Sequence, residues 1–270
     1  MRTKILIALL TFSISMLSFS QSKEKRIGTW KIYNGYLIKN SSINNDLASR
    51  YWSELNKIFP KKVLRKYIRR LVLMTDGPDE KTGALVSLSK GNDRWQLVID
   101  VEDVNFDSRD RRRLYESVYT LVHEFGHLIT LNKEQIRPTR QEVEENGLYL
   151  THEGEAYKNS YMNRFVNLFW KKEGLLEEWD YIQKEHCYTE ASCVDKLSDL
   201  YMDNFTEFIT DYAAESPEED IVESWTAFVL RPKIKRPRTT AQKKINFFYQ
   251  FPELVKFRAQ IKQNTRKYLH

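Results

Sequence analysis

The chain has little of the residues that loosen or cross-link a backbone: 9 Gly, 7 Pro and 2 Cys in 270 residues. That scarcity excludes collagen-like, linker-like and low-complexity sequence, and no internal repeat is present. Mean hydropathy is −0.59 and 30% of residues are charged, which excludes a multispanning membrane protein. What is abundant is large aromatic side chains, 14 Phe, 15 Tyr and 6 Trp within a 41% hydrophobic composition. The length and these proportions suit one soluble domain, or two closely packed lobes, with a sizeable core. Lys and Arg number 43 against 37 Asp and Glu, a net charge of +6 and a pI near 9.1. Such an excess permits an anionic partner only where it is concentrated.

The N-terminus reads as an export signal. Arg2 and Lys4 precede an uncharged apolar stretch from Ile5 to Phe19, and Ser18 and Ser20 stand at −3 and −1 of a cut before Gln21. The expected organisation is a signal peptide over residues 1–20 and one domain over 21–270. Within it, a sheet and active-site-helix lobe covers 21–130 and a helical lobe 131–270. Cleavage removes two basic and no acidic residues, so the mature charge falls to +4. The expected location is periplasmic or extracellular, with no membrane span after cleavage. In an oxidising compartment Cys187 and Cys193 are placed to close a small local disulfide loop, and two thiols alone make a poor structural zinc site.

Trp30 to Ile38 reads as a strand. Leu47, Tyr51, Leu55 and Ile58 recur at spacings of three and four, which predicts a helix from Asp46 to Phe59 ending at Pro60. Three β-type runs follow, Arg70 to Thr75, Ala84 to Ser89 and Trp95 to Val101, separated by Gly77-Pro78 and Gly91-Asn92-Asp93. These turns predict a small sheet with antiparallel pairing. From Ser108 the period becomes helical through Leu114, Val118, Leu121, Val122, Phe125, Leu128 and Ile129. Further helices are expected over Tyr161 to Trp170, Leu175 to Glu185, Pro217 to Leu230 and in two segments around Pro252. The basic run Lys233 to Arg238, framed by Pro232 and Pro237, and Lys243-Lys244 read as solvated surface, with no stacking-aromatic motif and no nucleic acid expected.

The sharpest local feature is His123-Glu124-Phe125-Gly126-His127 inside a predicted helix. Residues i and i+4 lie about 40° apart around a helix, so both imidazoles project from one face and can bind one zinc ion. Glu124 is placed to take a proton from a zinc-bound water. With 5 His in the chain, one such match arises by chance on the order of once in a hundred chains. Apolar neighbours on the helix and the cost of Gly126 there, about 1 kcal/mol relative to Ala, argue for a built site. His152, His186 and His270 have no comparable setting.

A third ligand is sought further on, in Asp211-Tyr212-Ala213-Ala214-Glu215-Ser216-Pro217-Glu218-Glu219-Asp220-Ile221-Val222-Glu223. Ser216 and Pro217 read as N-cap and first helical residue, with Glu219 at the capping-box position. Glu219 is therefore either a cap or a zinc ligand. Glu223, one turn on, is either a group that accepts a hydrogen bond from a ligand histidine or an alternative ligand.

HEFGH followed far downstream by Tyr-(six residues)-Glu-x-x-x-Glu resembles the Glu-zincin metallopeptidases of the anthrax lethal factor and Pro-Pro endopeptidase type. "LVHEFGHLITLN" and "ITDYAAESPEEDIVESWTAFVL" also resemble uncharacterised zinc-binding metallopeptidases of bacterial exported proteins. The resemblance covers about 35 residues in two blocks. The order of strand and helix patterns already reads as α+β, a small sheet with helices followed by a helical half. The resemblance makes that fold zincin-like, with a small mixed sheet and an active-site helix followed by a mainly helical C-terminal half. It further implies His123, His127 and Glu219 as zinc ligands, Glu124 as general base, Tyr212 as oxyanion donor and Glu223 behind the ligands. The strand Trp95 to Val101 would be the sheet edge that aligns an extended peptide. The 91 residues between His127 and Glu219 exceed what that group leads one to expect. The expected function is zinc-dependent hydrolysis of a peptide or protein substrate; the alternative is a non-catalytic exported zinc-binding or scaffold protein.

Overall fold

Strand β1 (Lys25–Tyr33) buries Trp30 and Ile32 and exposes Lys31 and Tyr33, the period-two pattern of a strand with one covered face. Asn34 and Gly35 then take positive φ, 50° and 82°, as a tight hairpin turn requires, and return the chain into β2 (Tyr36–Leu37). The segment expected as one strand is thus a hairpin. The computed structural model describes residues 25–76, 82–141, 144 and 147–269. The expected leader, its cut and His270 lie outside the described residues.

Helix α1 (Asp46–Ile58) buries Ala48, Tyr51, Trp52, Leu55 and Ile58, the stripe its spacing predicted, and stops at Phe59, before Pro60. A short α2 (Lys61–Tyr67) leads into β3 (Ile68–Thr75), followed by β4 (Gly83–Ser87) and β5 (Trp95–Asp100). The strand order is β2-β1-β3-β5-β4. β3 pairs parallel with β5 and the other pairs are antiparallel, so the sheet is mixed. The buried run Leu71 to Met74 suits its central strand, which is covered on both faces. The turn between β4 and β5 does form a hairpin, but β3 pairs past β4 with β5. That corrects the expectation for Trp95 to Val101: β5 is interior, and β4 is the edge.

Helix α3 (Arg111–Leu131) buries Val118, Leu121, Val122, Phe125 and Leu128. Phe125 stacks on Phe59 at 4.7 Å and meets Phe257 edge-on at 6.2 Å. One compact unit comprises residues 18–128 and 251–270; the other includes 129–250. The last helix therefore groups with the sheet rather than with the helical half.

In the unit of residues 129–250, β6 (Ile136–Arg137), β7 (Leu150–Thr151) and β8 (Gly154–Ala156) form a three-stranded antiparallel sheet in the order β6-β8-β7. Strands of two or three residues carry too little alternation to be read from pattern, and these fall within the lobe expected to be mainly helical. Then come α4 (Tyr161–Val166), which continues as a π-helical turn over Asn167–Lys171, α5 (Leu175–Glu185) and α6 (Glu190–Asp203). A disulfide joins Cys187 and Cys193 at the α5–α6 connection. A 3-10 turn (Tyr212–Ala214), α7 (Pro217–Leu230) and α8 (Thr240–Phe247) complete the unit, and α9 (Pro252–Leu269) returns to the first one. The aromatic abundance is spent here: Phe165, Trp170, Trp225, Phe228, Phe247 and Phe248 are buried, most of them edge-on to one another. No helix among the described residues is long and apolar enough to cross a membrane.

Candidate metal centre

Because Phe125 anchors one face of α3 in the core, residues 123 and 127, each 200° from it around the helix, share the opposite face. His123 and Glu124 are buried, and His127 is partly so. The two Nε2 atoms stand 3.2 Å apart. Two ligands at zinc–nitrogen distances of 2.0–2.1 Å in a tetrahedron are separated by about 3.3 Å, so the imidazole pair already has the spacing such a site needs.

Glu124 lies under the start of the edge strand. A Cβ added at Gly83 would stand 3.1 Å from Thr120 Cγ2 and 3.4 Å from Glu124 Cγ and Oε1. The hydroxyl oxygens of Thr82 and Thr120 are 3.3 Å apart beside it. A side chain at residue 83 would touch Glu124 and crowd Thr120, so glycine lets β4 run close over the carboxylate. Pattern reading missed Gly83, Thr82 and Thr120, since nothing local in the sequence brings residue 83 to residue 124.

On α7, Ser216 Oγ accepts a hydrogen bond from Glu219 N at 3.1 Å, and Pro217 occupies the first turn, as expected of the N-terminus. Asp220, Glu223 and every residue between them are buried. Glu223 accepts from Thr210 Oγ1 at 2.7 Å, and the same oxygen accepts from Ala213 N at 3.2 Å. Thr210, which sequence reasoning did not single out, thereby ties Glu223 to the turn that carries Tyr212. Tyr212 itself is 43% exposed. Tyr149, also missed, is buried and donates to Glu218 at 3.0 Å. Burial, with Glu218 next, pushes its hydroxyl pKa well up. Burial and, after it, the charges of Glu219 and Asp211 push the Glu215 carboxyl up to about 7.

Of the residues singled out from the sequence, His123, His127 and Glu219 form a group whose ligand atoms all lie within 4.8 Å of one another and could hold a metal ion. Two imidazoles and one carboxylate are a donor set of the borderline type that suits zinc, leaving one position open. Glu223 is not in that group. His152 is exposed, and His186 is half-buried with its ring 5.6 Å from that of Tyr181. No protein-family model, curated protein or solved structure matches the chain.

Proposed function

We propose that the chain is an exported zinc-dependent metallopeptidase. The observation that carries the reading is the convergence of His123, His127 and Glu219, with Glu124 buried next to the first of them on the same helix. When bound, zinc would supply Lewis acidity toward a carbonyl oxygen and bring a water pKa to about 7.

The remaining work falls to the protein's own groups. Glu124, adjacent to the first ligand, accepts a proton from the attacking water and returns it to the leaving amine. Tyr212, by resemblance, donates a hydrogen bond to the oxyanion. Glu223, held by the hydrogen bond from Thr210, stands one turn from Glu219 on the same helix. β4, outermost in its sheet and beginning beside Glu124, offers backbone groups for an extended peptide to pair with.

Metal analysis followed by peptide-library cleavage tests the proposal. Wild type should hold one zinc per chain, and Glu124→Gln should keep that zinc while turnover falls by roughly two to four orders of magnitude. Absence of zinc sinks the metal site. Full occupancy without cleavage of any library member sinks the peptidase and leaves the zinc-binding scaffold.

A further inference from the structure

The positive charge of this chain is not spread. Residues 224–252 hold seven Lys and Arg and no Asp or Glu, so the rest of the sequence carries 36 basic residues against 37 acidic ones. That run covers the loop between α7 and α8 and the first turn and a half of α8; residues 55–75 likewise hold seven Lys and Arg and no Asp or Glu, so the excess is gathered in two stretches. In the run 224–252 one of the seven is spent internally: Lys244 is fully buried, 2.6 Å from Asp220. Arg231, Lys233, Lys235, Arg236, Arg238 and Lys243 are exposed.

Some exposed cations elsewhere stand beside carboxylates, as in Arg112 with Glu116, Lys184 with Glu185 and Lys196 with Asp199. Lys233, Lys235, Arg236, Arg238 and Lys243 have no such neighbour among the described residues. Nor is the loop loosely tethered. Asn246 Nδ2 donates to Ile234 O at 2.8 Å, Arg238 N donates to Gln242 Oε1 at 2.7 Å, and Lys233 Nζ lies 4.3 Å over the Tyr249 ring. Holding like charges together in a pinned, proline-framed loop is unfavourable unless an anionic surface offsets the repulsion.

We propose that residues 231–243 dock this protein electrostatically on membranes bearing anionic phospholipid headgroups. Phosphate arrays need only charge and reach, and this loop supplies both. Binding to single-stranded nucleic acid draws on exposed rings for stacking, whereas among the described residues C-terminal to Tyr212, which include this loop, no large hydrophobic side chain is exposed. The export leader read over residues 1–20 also brings the chain to a lipid surface.

Co-sedimentation of the purified chain with phosphatidylcholine vesicles, with and without phosphatidylglycerol, reads the interaction. Binding is expected only with phosphatidylglycerol, and should vanish at about 1 M salt, where charges are screened beyond about 3 Å. Replacing Lys233, Lys235, Arg236 and Arg238 together by Ser should weaken it on the order of several hundredfold, at about fivefold per cation. Removing Arg94, Arg112, Lys184 and Lys196, which have carboxylate neighbours, should change it less than about threefold. Equal binding to both vesicles, retention at high salt, equal weakening by the two quadruple variants, or preference for duplex DNA over the anionic vesicles would each overturn the proposal. The salt and vesicle comparisons use the wild type, so they stand even where a variant folds poorly.

Discussion

A methyl group at Gly83 would press on Thr120 Cγ2 at 3.1 Å and touch Glu124 at 3.4 Å. The 3.4 Å approach is ordinary contact, so the strand or Thr120, one turn before Glu124 on the same helix, must give by a few tenths of an ångström. Gly83→Ala should therefore lower peptide turnover roughly tenfold while leaving zinc content unchanged, since catalytic geometry is sensitive on that scale and both histidines keep their helix. A variant with full turnover would show that the strand, not the helix of Glu124, absorbs the added atom. Tyr212→Phe, read by kcat at saturating peptide, should lower turnover by roughly two orders of magnitude with zinc retained. The contrast with the histidines explains what could be read early. His123 and His127 are related by one helical turn, which the sequence states outright. The contacts of Glu124 with Gly83 and of Glu223 with Thr210 join different elements, and no local pattern encodes them.

Two helix pairs are held by buried or half-buried charge. Lys244 of α8 meets Asp220 of α7 in full burial, Trp170 Nε1 donates to the same carboxylate at 2.8 Å, and the Phe208 ring lies 4.6 Å from the ammonium. Burial pushes the Asp220 carboxyl up to about 6 despite Lys244 and Trp170, which pull it down. Lys244→Met should destabilise the fold by about 3–5 kcal/mol, because Asp220 is left buried without its partner and must either stay charged there or take up a proton. Lys244→Met with Asp220→Asn should recover much of that, as chemical denaturation would show. In the sequence, Lys244 sat in a basic run and was read as surface; only packing reveals it as core. The second pair joins α1 to α9, where Glu54 accepts from Lys57 at 2.8 Å, from Lys267 at 3.0 Å and from the Tyr268 hydroxyl. Burial opposes ionisation, yet these three donors outweigh it and lower the Glu54 carboxyl from 4.5 to about 2. The unfolded chain takes up this proton first as pH falls. Stability from Glu54 is thus complete above pH 4.5 and lost between there and about 2. It amounts to about 2 kcal/mol after screening of lysines that are more than half exposed. Glu54→Gln should flatten that part of the acid-stability curve.

At the scale of the molecule, the α+β class and most helix boundaries followed from period and caps, because amphipathic stripes such as Tyr51-Leu55-Ile58 and the Ser216-Pro217 start are local. Topology did not: the parallel pairing of β3 with β5, the edge position of β4 and the return of α9 to the sheet unit are long-range choices made by packing. A metal held by His123, His127 and Glu219 would be long-range in the same sense, since its ligands come from α3 and α7, with 91 residues between His127 and Glu219. The unfolded chain cannot present that set at one point, so zinc should bind the native state far better. At a free zinc concentration 100 times Kd, the linkage is worth about 2.7 kcal/mol. For a chain of this size, that should raise Tm by roughly 5–10 °C. Chelation should reverse the rise, and His127→Ala and Glu219→Ala should each abolish most of it. Glu124→Gln and Glu223→Gln should keep it, because neither side chain is assigned to the metal. A rise that survives Glu219→Ala but disappears in Glu223→Gln would reassign the third ligand by one helical turn.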